Sequence, residues 1–175
     1  GEVTNINLVK GFSLGDKGFL NTSFNYRDRG RTNRAGKQGA CVYGGCTDTN
    51  GNGIDETDDP REVTFNRNTF RIGDPDSEQY AFVGNGAYEI GPGEVYGFLT
   101  YSQRDNESGA FYRNPVSGDT SYLDDGDNVI PNGFLPLINS QIDDFSVDLG
   151  YRMEFQSGLS MDVSYTDGGN EIDYS

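Results

Sequence analysis

The sequence predicts an all-β fold of antiparallel up-and-down hairpins, and three observations support this prediction. Apolar and polar residues alternate over several stretches, which places each class on its own face of a strand. The 25 glycines, 11 tyrosines and 11 phenylalanines are typical of strands and turns. No stretch has the apolar spacing of an amphipathic helix, and no apolar run is long enough for a transmembrane helix.

The clearest strand pattern lies near the end of the sequence, from Asp144 to Tyr165. Gln156–Gly158 interrupts the pattern and predicts a tight turn between two strands. The apolar positions are Phe145, Val147, Leu149, Tyr151, Met153 and Phe155 before the turn, and Leu159, Met161, Val163 and Tyr165 after it. The residues between them are charged or small, so this hairpin has one apolar face and one polar face.

Two further hairpins are expected upstream. The first runs from Val3 to Asp28, with a turn at Ser13–Gly18. The second runs from Gln79 to Gln103, with a turn at Gly91–Gly93. In the return strand of the first hairpin and in both strands of the second, alternating positions carry apolar or small residues, as in a strand with one apolar face.

Long polar stretches at 29–78 and 104–141 separate the three hairpins, so short turns alternate with long connections. This asymmetry is typical of a transmembrane β-barrel with long extracellular loops, and it predicts that residues 1–175 form part of one, with about six strands. Aromatic residues near the strand ends agree with interfacial girdles, although strand propensity also favours aromatics. The alternative is a soluble antiparallel sheet with one solvated face.

Three separated segments, Gly18–Gly36, Tyr96–Pro115 and Asn132–Tyr151, resemble parts of the TonB-dependent outer-membrane receptors. Gly18–Gly36 and Tyr96–Pro115 each look like a barrel strand with the loop that follows it, and Asn132–Tyr151 resembles the entry to the next strand. The segments occur in the order expected for the middle of such a barrel. The resemblance does not extend over about Lys37–Val63.

The resemblance implies a location in the bacterial outer membrane and a role in the import of a scarce nutrient, such as an iron chelate, a vitamin or a glycan. The expected partners are outer-membrane lipid, a small-molecule or glycan ligand at the extracellular loops, and TonB. Members of the family contact TonB through a plug domain, which is not evident in this sequence.

The charge and composition disfavour several other functions. The net charge is −15, from 28 acidic and 13 basic residues, so nucleic acid is not an expected partner. There is no histidine, which rules out Ser-His-Asp and Cys-His catalysis and histidine-ligated metal sites. Carboxylates are too abundant for any pair to indicate a glycosidase, and we do not expect an enzyme.

The first long loop contains two candidate stabilising features. Cys41 and Cys46 are predicted to form a local disulfide in an oxidising compartment. The segment Asp48–Asp59 has the oxygen-ligand spacing of a calcium loop, with Gly53 at its sharp turn. The candidate calcium ligands are Asp48, Asn50, Asn52, Ile54 through its carbonyl, Glu56 and Asp59. A solvent-exposed acidic turn is the alternative interpretation.

Two functional hypotheses follow from these features. The first is a fragment of an outer-membrane transporter, in which the long loops capture a ligand. The second is a secreted or surface β protein that calcium stabilises and that assembles through its free sheet edges. They differ in what covers the apolar faces, which is lipid in the first hypothesis and protein in the second.

Overall fold

A computed structural model describes residues 1–43, 61–115 and 132–175 of the chain. Its main feature is one six-stranded sheet in which every strand lies beside its neighbour in sequence. The strands are β1 (Val3–Ser13), β2 (Gly18–Arg29), β3 (Asp76–Ile90), β4 (Gly93–Gly109), β5 (Leu137–Glu154) and β6 (Ser160–Tyr174). A one-turn helix, α1 (Arg61–Thr64), lies between β2 and β3 in sequence. The predicted all-β, antiparallel up-and-down arrangement is therefore confirmed.

The sheet is open, with β1 and β6 as its two edges, so this arrangement does not show the closed barrel that the sequence predicts. Among the described residues, no helix has the length and hydropathy needed to cross a membrane.

The tight turns lie where the sequence predicts them. Gly15, Gly91 and Gly158 adopt positive φ angles of 69°, 61° and 81°, one in each turn between paired strands. A side chain would strain this left-handed backbone, which explains why glycine occupies these three positions. Within the last turn, the amide of Phe155 donates to the carbonyl of Leu159 over 2.8 Å.

The strands are longer than the alternating patterns predict. The predicted connections 29–78 and 104–141 shorten to 30–75 and 110–136, and β6 continues to Tyr174 instead of ending near Tyr165. Backbone pairing causes the difference, because it does not require apolar side chains. Asn139 and Ser175 exchange two backbone hydrogen bonds of 3.0 and 3.1 Å in a region that has no apolar alternation.

The chain divides into two compact units. The first, here called the sheet unit, contains 1–30, 76–106 and 139–175. The second, here called the loop unit, contains 31–75 and 107–138 and so draws on both long connections. In the described part of the chain, the only buried hydrophobic residues are Ala87 in the sheet unit and Val42 in the loop unit. The sheet thus has no conventional core on either face.

Candidate functional site: a two-faced sheet and an ordered loop unit

Strand pairing gives the sheet an apolar face that is continuous across all six strands. In β1, β2 and β3, even-numbered residues lie opposite each other, as in Leu8–Phe24 and Phe24–Phe82. Only two residues separate Ile90, the last residue of β3, from Gly93, the first residue of β4. Ile90 and Gly93 therefore lie opposite each other, and the apolar face continues on the odd-numbered residues of β4. In β5 and β6, odd-numbered residues such as Met153 and Met161 are paired. The apolar face includes Ile6, Leu8, Phe12, Leu20, Phe24, Tyr26, Tyr80, Phe82, Tyr88, Val95, Leu99, Tyr101, Phe145, Val147, Leu149, Tyr151, Met153, Met161, Val163 and Tyr165.

The apolar face is not covered by another layer of the described chain. Leu8 is 61% exposed, Leu149 59% and Val163 62%, although their neighbours on the face are also large and apolar. A contiguous exposed apolar surface of this extent is uncommon on a soluble monomer and is typical of surfaces that contact protein, membrane or ligand. The apolar half of the Asp144–Tyr165 hairpin belongs to this surface, as the alternation predicts.

Aromatic residues border the apolar face toward both ends of the strands. Tyr26 and Tyr80 are paired across β2 and β3, with ring centroids 5.1 Å apart. Both of their hydroxyls donate to one oxygen of Glu78, over 3.0 and 2.7 Å. Tyr88 lies near the turn end of β3, eight residues from Tyr80. These two tyrosines are about 26 Å apart along the strand, at roughly 3.3 Å per residue.

Glycines replace large side chains in the middle of the apolar face. Gly84 and Gly86 of β3 and Gly97 of β4 line an open depression of about 580 Å³, with Leu20 and Leu149 at its sides. The apolar face therefore has aromatic residues near both ends of its strands, and glycine and aliphatic residues at its centre.

The opposite face carries polar side chains that contact each other across the strands. Asn25 donates to Asn5 and Asn7 over 2.8 and 2.6 Å. On β4 and β5, Arg152 forms an ion pair of 2.5 Å with Glu94. Further hydrogen bonds join Tyr96 to Asp162, Thr166 to Asp148, Asn170 to Asp144, and Asn106 to Ser140. Side-chain hydrogen bonds thus link neighbouring strands across this polar face.

The described residues of the loop unit form hydrogen bonds with each other and are not a plain extended connection. The amides of Thr32 and Arg34 donate to the carbonyls of Asp74 and Ile72, over 3.1 and 2.8 Å. The amide of Gln38 donates to the carbonyl of Arg67 over 2.8 Å. The segments that leave β2 and enter β3 therefore pair with each other beyond the ends of the strands.

A buried ion pair fixes the centre of the loop unit. Glu62, whose side chain is 5% exposed, lies 3.0 Å from the guanidinium of Arg67. The carboxylate of Glu62 also accepts the amides of Val42 and Tyr43 over 2.6 and 2.7 Å. Arg67 in turn donates to the carbonyls of Gln38 and Ala40 over 3.0 and 3.1 Å. Each charge of the pair has several hydrogen-bonding partners, and these offset the desolvation cost of its burial.

Four aromatic rings form a cluster beside this ion pair. Tyr43 packs edge-on against Phe65 at 5.9 Å, and Tyr112 lies 6.2 Å from Phe65 and 6.5 Å from Phe70. Burial raises the pKa of Tyr112 above its ordinary value of 10.0, with a smaller contribution from Tyr43. The Tyr112 hydroxyl donates a hydrogen bond to the backbone carbonyl of Asn132. The hydroxyl of Tyr43 donates to the side-chain Oδ1 of the same residue over 2.5 Å.

Of the predicted site residues, the described part of the chain includes only Cys41, which is disulfide-bonded. The other predicted cysteine and the candidate calcium ligands lie outside the described residues, so the Cys41–Cys46 pairing and the calcium site stay predictions. They are Cys46, Asp48, Asn50, Asn52, Ile54, Glu56 and Asp59. Across 1–43, 61–115 and 132–175, no group of three or more acidic or cysteine residues is arranged to hold a metal ion.

The residues that flank the candidate calcium segment in sequence are described. The guanidinium of Arg61 lies 3.9 Å from the ring centroid of Tyr43, a cation–π contact between the residues on either side of 44–60. Sequence reasoning did not identify this contact or the Glu62–Arg67 pair. The only signal in the sequence is opposite charge five residues apart, which is common in polar stretches.

The chain matches no protein-family model, and no curated protein or solved structure proved significantly similar to it.

Proposed function

We propose that the chain is part of the wall of a TonB-dependent receptor in the bacterial outer membrane, with the apolar face against lipid. The single observation that carries this proposal is the continuous apolar face, which no other layer of the described chain covers. In water, such a face would be a strong site of association. In a bilayer, it is the surface that a spanning strand must present.

The dimensions of the apolar face support the same proposal. Tyr80 and Tyr88 are separated by about 26 Å along β3, or about 20 Å along the membrane normal if the strand is tilted by roughly 40°. The apolar band of an outer-membrane barrel is about 25 Å tall and has aromatic girdles at both edges. The aromatic ends and aliphatic centre of this face agree with that arrangement.

The loop unit supports a role in ligand capture. Both long connections contribute to it, and its buried ion pair and aromatic cluster give it an internal structure. Long outer loops with their own packing are suited to hold a ligand, because binding and recognition residues concentrate on loops that a rigid scaffold positions. The proposed ligand is a scarce nutrient such as an iron chelate, a vitamin or a glycan.

A single-tryptophan experiment tests the membrane contact. The chain has no tryptophan, so Leu149→Trp on the apolar face and Ser146→Trp on the polar face each introduce one fluorophore. Both residues belong to β5 and lie three positions apart. In vesicles of lipids brominated on their acyl chains, we expect strong quenching of L149W and weak quenching of S146W.

The result separates the two functional hypotheses. Equal quenching of the two variants would contradict the assignment of the faces. If L149W is protected from brominated lipid while chemical cross-linking captures oligomers, the apolar face is covered by protein, as in the assembly hypothesis. The wild-type chain provides the fluorescence background, because its tyrosines emit at shorter wavelengths.

A further inference from the structure

The sheet has two edge strands, β1 and β6, and no other strand of the described chain pairs with their outer sides. β1 pairs with β2 over Val3–Ser13, and β6 pairs with β5 over Ser160–Tyr174, in both cases in one unbroken register. Neither edge strand contains a proline. Long, regular edges of this kind are templates for pairing with a further strand.

The backbone hydrogen bonds show which residues of each edge point outward. The amide of Gly30 donates to the carbonyl of Glu2 over 2.9 Å, so the even-numbered residues of β1 exchange hydrogen bonds with β2. Asn139 and Ser175 exchange two hydrogen bonds, so the odd-numbered residues of β6 do the same with β5. The N–H and C=O groups that point outward therefore include those of Val3, Asn5, Asn7, Val9 and Gly11 in β1, and those of Ser160, Asp162, Ser164, Thr166 and Gly168 in β6.

Apolar side chains of the edge strands are more exposed than those of the inner strands. Leu8 of β1 and Val163 of β6 are 61% and 62% exposed. Phe24 of β2 and Leu99 of β4 are 37% and 41% exposed, because each has a strand on both sides. A further strand beside each edge would cover the additional apolar area.

The boundary of the apolar face crosses the sheet obliquely. Away from the tight turns, the apolar residues of this face end at Ile6 in β1 and at Tyr165 in β6. The next residues on the same face, Thr4 and Asp167, are polar. The row of opposite residues that starts at Tyr165 continues through Leu149, Gly97, Gly86, Leu20 and Phe12. It reaches β1 six residues away from Ile6, so the boundary shifts by six residues between the two edges.

This shift gives the angle of the strands to the boundary. Six residues extend about 20 Å along a strand, and the five spacings between six strands extend about 24 Å across the sheet. The boundary therefore lies at about 40° to the hydrogen-bonded rows. Strands of outer-membrane barrels are tilted by about 35–45°, and at that tilt the boundary would lie level in the membrane.

A second copy of the chain can continue both the sheet and this boundary. Because the strands alternate in direction, β6 of one copy is antiparallel to β1 of the next when the apolar faces are on the same side. With Tyr165 opposite Ile6 of the next copy, the boundary continues without a step. The same register places Val163 opposite Leu8 on the apolar face. It also places every outward residue of β1 opposite an outward residue of β6, so their backbone groups are able to pair.

We propose that the outer side of β6 is a docking surface for β1 of a second copy of this chain. The segments that meet are Ile6–Phe12 of one copy and Leu159–Tyr165 of the other. This proposal rests on the proposed function, because a bilayer offers no water to the outward N–H and C=O groups of an edge strand. It names the neighbour of the wall at its open edge.

The test mixes two variants of the full chain, each with one added cysteine, in a detergent with no net charge. Asn7→Cys modifies β1, and Ser164→Cys modifies β6. These positions lie opposite each other in the proposed register, where Cα atoms about 5.5 Å apart are within the span of a disulfide. Copper phenanthroline is the oxidant. The wild-type chain under the same treatment gives the background from its own two cysteines.

The matched control mixes Asn7→Cys with Asn170→Cys. Asn170 lies on the same face of β6 as Ser164, but about 20 Å farther along the strand. We expect about tenfold more covalent dimer when Asn7→Cys is mixed with Ser164→Cys than in this control, because a disulfide does not join Cα atoms more than about 7 Å apart. Neither single variant alone should exceed the background.

A proline at Val9 tests whether the contact uses the backbone. Val9→Pro removes an N–H that points outward and leaves the hydrogen bonds to β2 in place, so a proline is tolerated at this edge position. Added to the Asn7→Cys chain, it should abolish the cross-link to Ser164→Cys. The far-ultraviolet circular dichroism of the chain should stay unchanged.

Four outcomes would overturn the proposal. Equal dimer in the two mixtures would show contact without a register. More dimer with Asn170→Cys would show a register that places Lys10 opposite Asp167 and breaks the boundary. A cross-link that persists in the folded Val9→Pro chain would exclude backbone pairing. No dimer above background would exclude a second copy as the neighbour of β6. The tryptophan experiment reports on the apolar face and requires no partner, so each of these failures is distinguishable from a failure of the membrane assignment.

Discussion

At the scale of single residues, Glu62 is the side chain on which the loop unit depends most. Its carboxylate neutralises Arg67 and accepts two backbone amides, and all of these groups are largely buried. Removal of one partner from a buried ion pair leaves the other charge without compensation. The composition of 31–75 does not predict this, because the stretch is polar and the two residues have no distinctive spacing.

We therefore expect Glu62→Gln to destabilise the loop unit by about 3 kcal/mol, because Arg67 remains buried without a counter-charge. The measurement is hydrogen exchange at the amides of Val42 and Tyr43, which should lose their protection. Glu107→Gln is the matched control. The Arg71–Glu107 pair has a similar distance of 2.8 Å but is 26% and 36% exposed, so its loss should cost less than about 1 kcal/mol. If Glu62→Gln and Glu107→Gln lower the free energy of unfolding equally, burial is not the reason for the contribution of the Glu62–Arg67 pair.

At the scale of the strand, the sequence predicts the faces better than it predicts the ends. Alternation identifies the apolar face of β5 from Phe145 onward because every second side chain contributes to it. It does not identify the first residues of the strand, Leu137–Asp144, where polar residues occupy both faces. Those residues are held by backbone hydrogen bonds, which are independent of side-chain pattern. The loop unit is missed for a related reason, since its contacts join residues that are far apart in sequence.

Two glycines on neighbouring strands permit a prediction about the packing of the polar face. Gly150 of β5 is buried, and a Cβ atom there would overlap the ring of Tyr96 on β4. We expect Gly150→Ala to displace that ring and to disturb its 2.7 Å hydrogen bond to Asp162. The cost should be about 1–3 kcal/mol, as for other overpacked sites.

Gly97→Ala is the control for this prediction, because a Cβ atom at Gly97 would approach no atom closer than 3.4 Å. Urea unfolding of the two variants, both held in one detergent with no net charge, gives the comparison. Equal midpoints for Gly150→Ala and Gly97→Ala would mean that Tyr96 does not pack tightly over the glycine.

At the scale of the whole molecule, negative charge is the dominant feature, with a net charge of −15. Part of this charge lies on the strands of the sheet, and part lies in the candidate calcium motif Asp48–Asp59. Like charges at such density destabilise a compact structure, and bound cations relieve the repulsion. Calcium bound at the candidate motif would relieve part of this repulsion.

The calcium prediction is tested on the full chain by calorimetric titration. We expect one site with a dissociation constant of about 10⁻⁴–10⁻³ M, the range of extracellular calcium modules. Asp48→Asn/Asp59→Asn removes the charge at both ends of the motif and should abolish the heat of binding. The control variant Asp144→Asn/Asp148→Asn/Asp162→Asn removes three carboxylates from β5 and β6 and should leave the heat unchanged. Magnesium should bind more weakly, because it requires near-ideal octahedral geometry and gives up its water ligands reluctantly. Heat that persists in the Asp48/Asp59 variant would assign calcium to other carboxylates, and no heat at millimolar calcium would leave the segment as a solvated acidic turn.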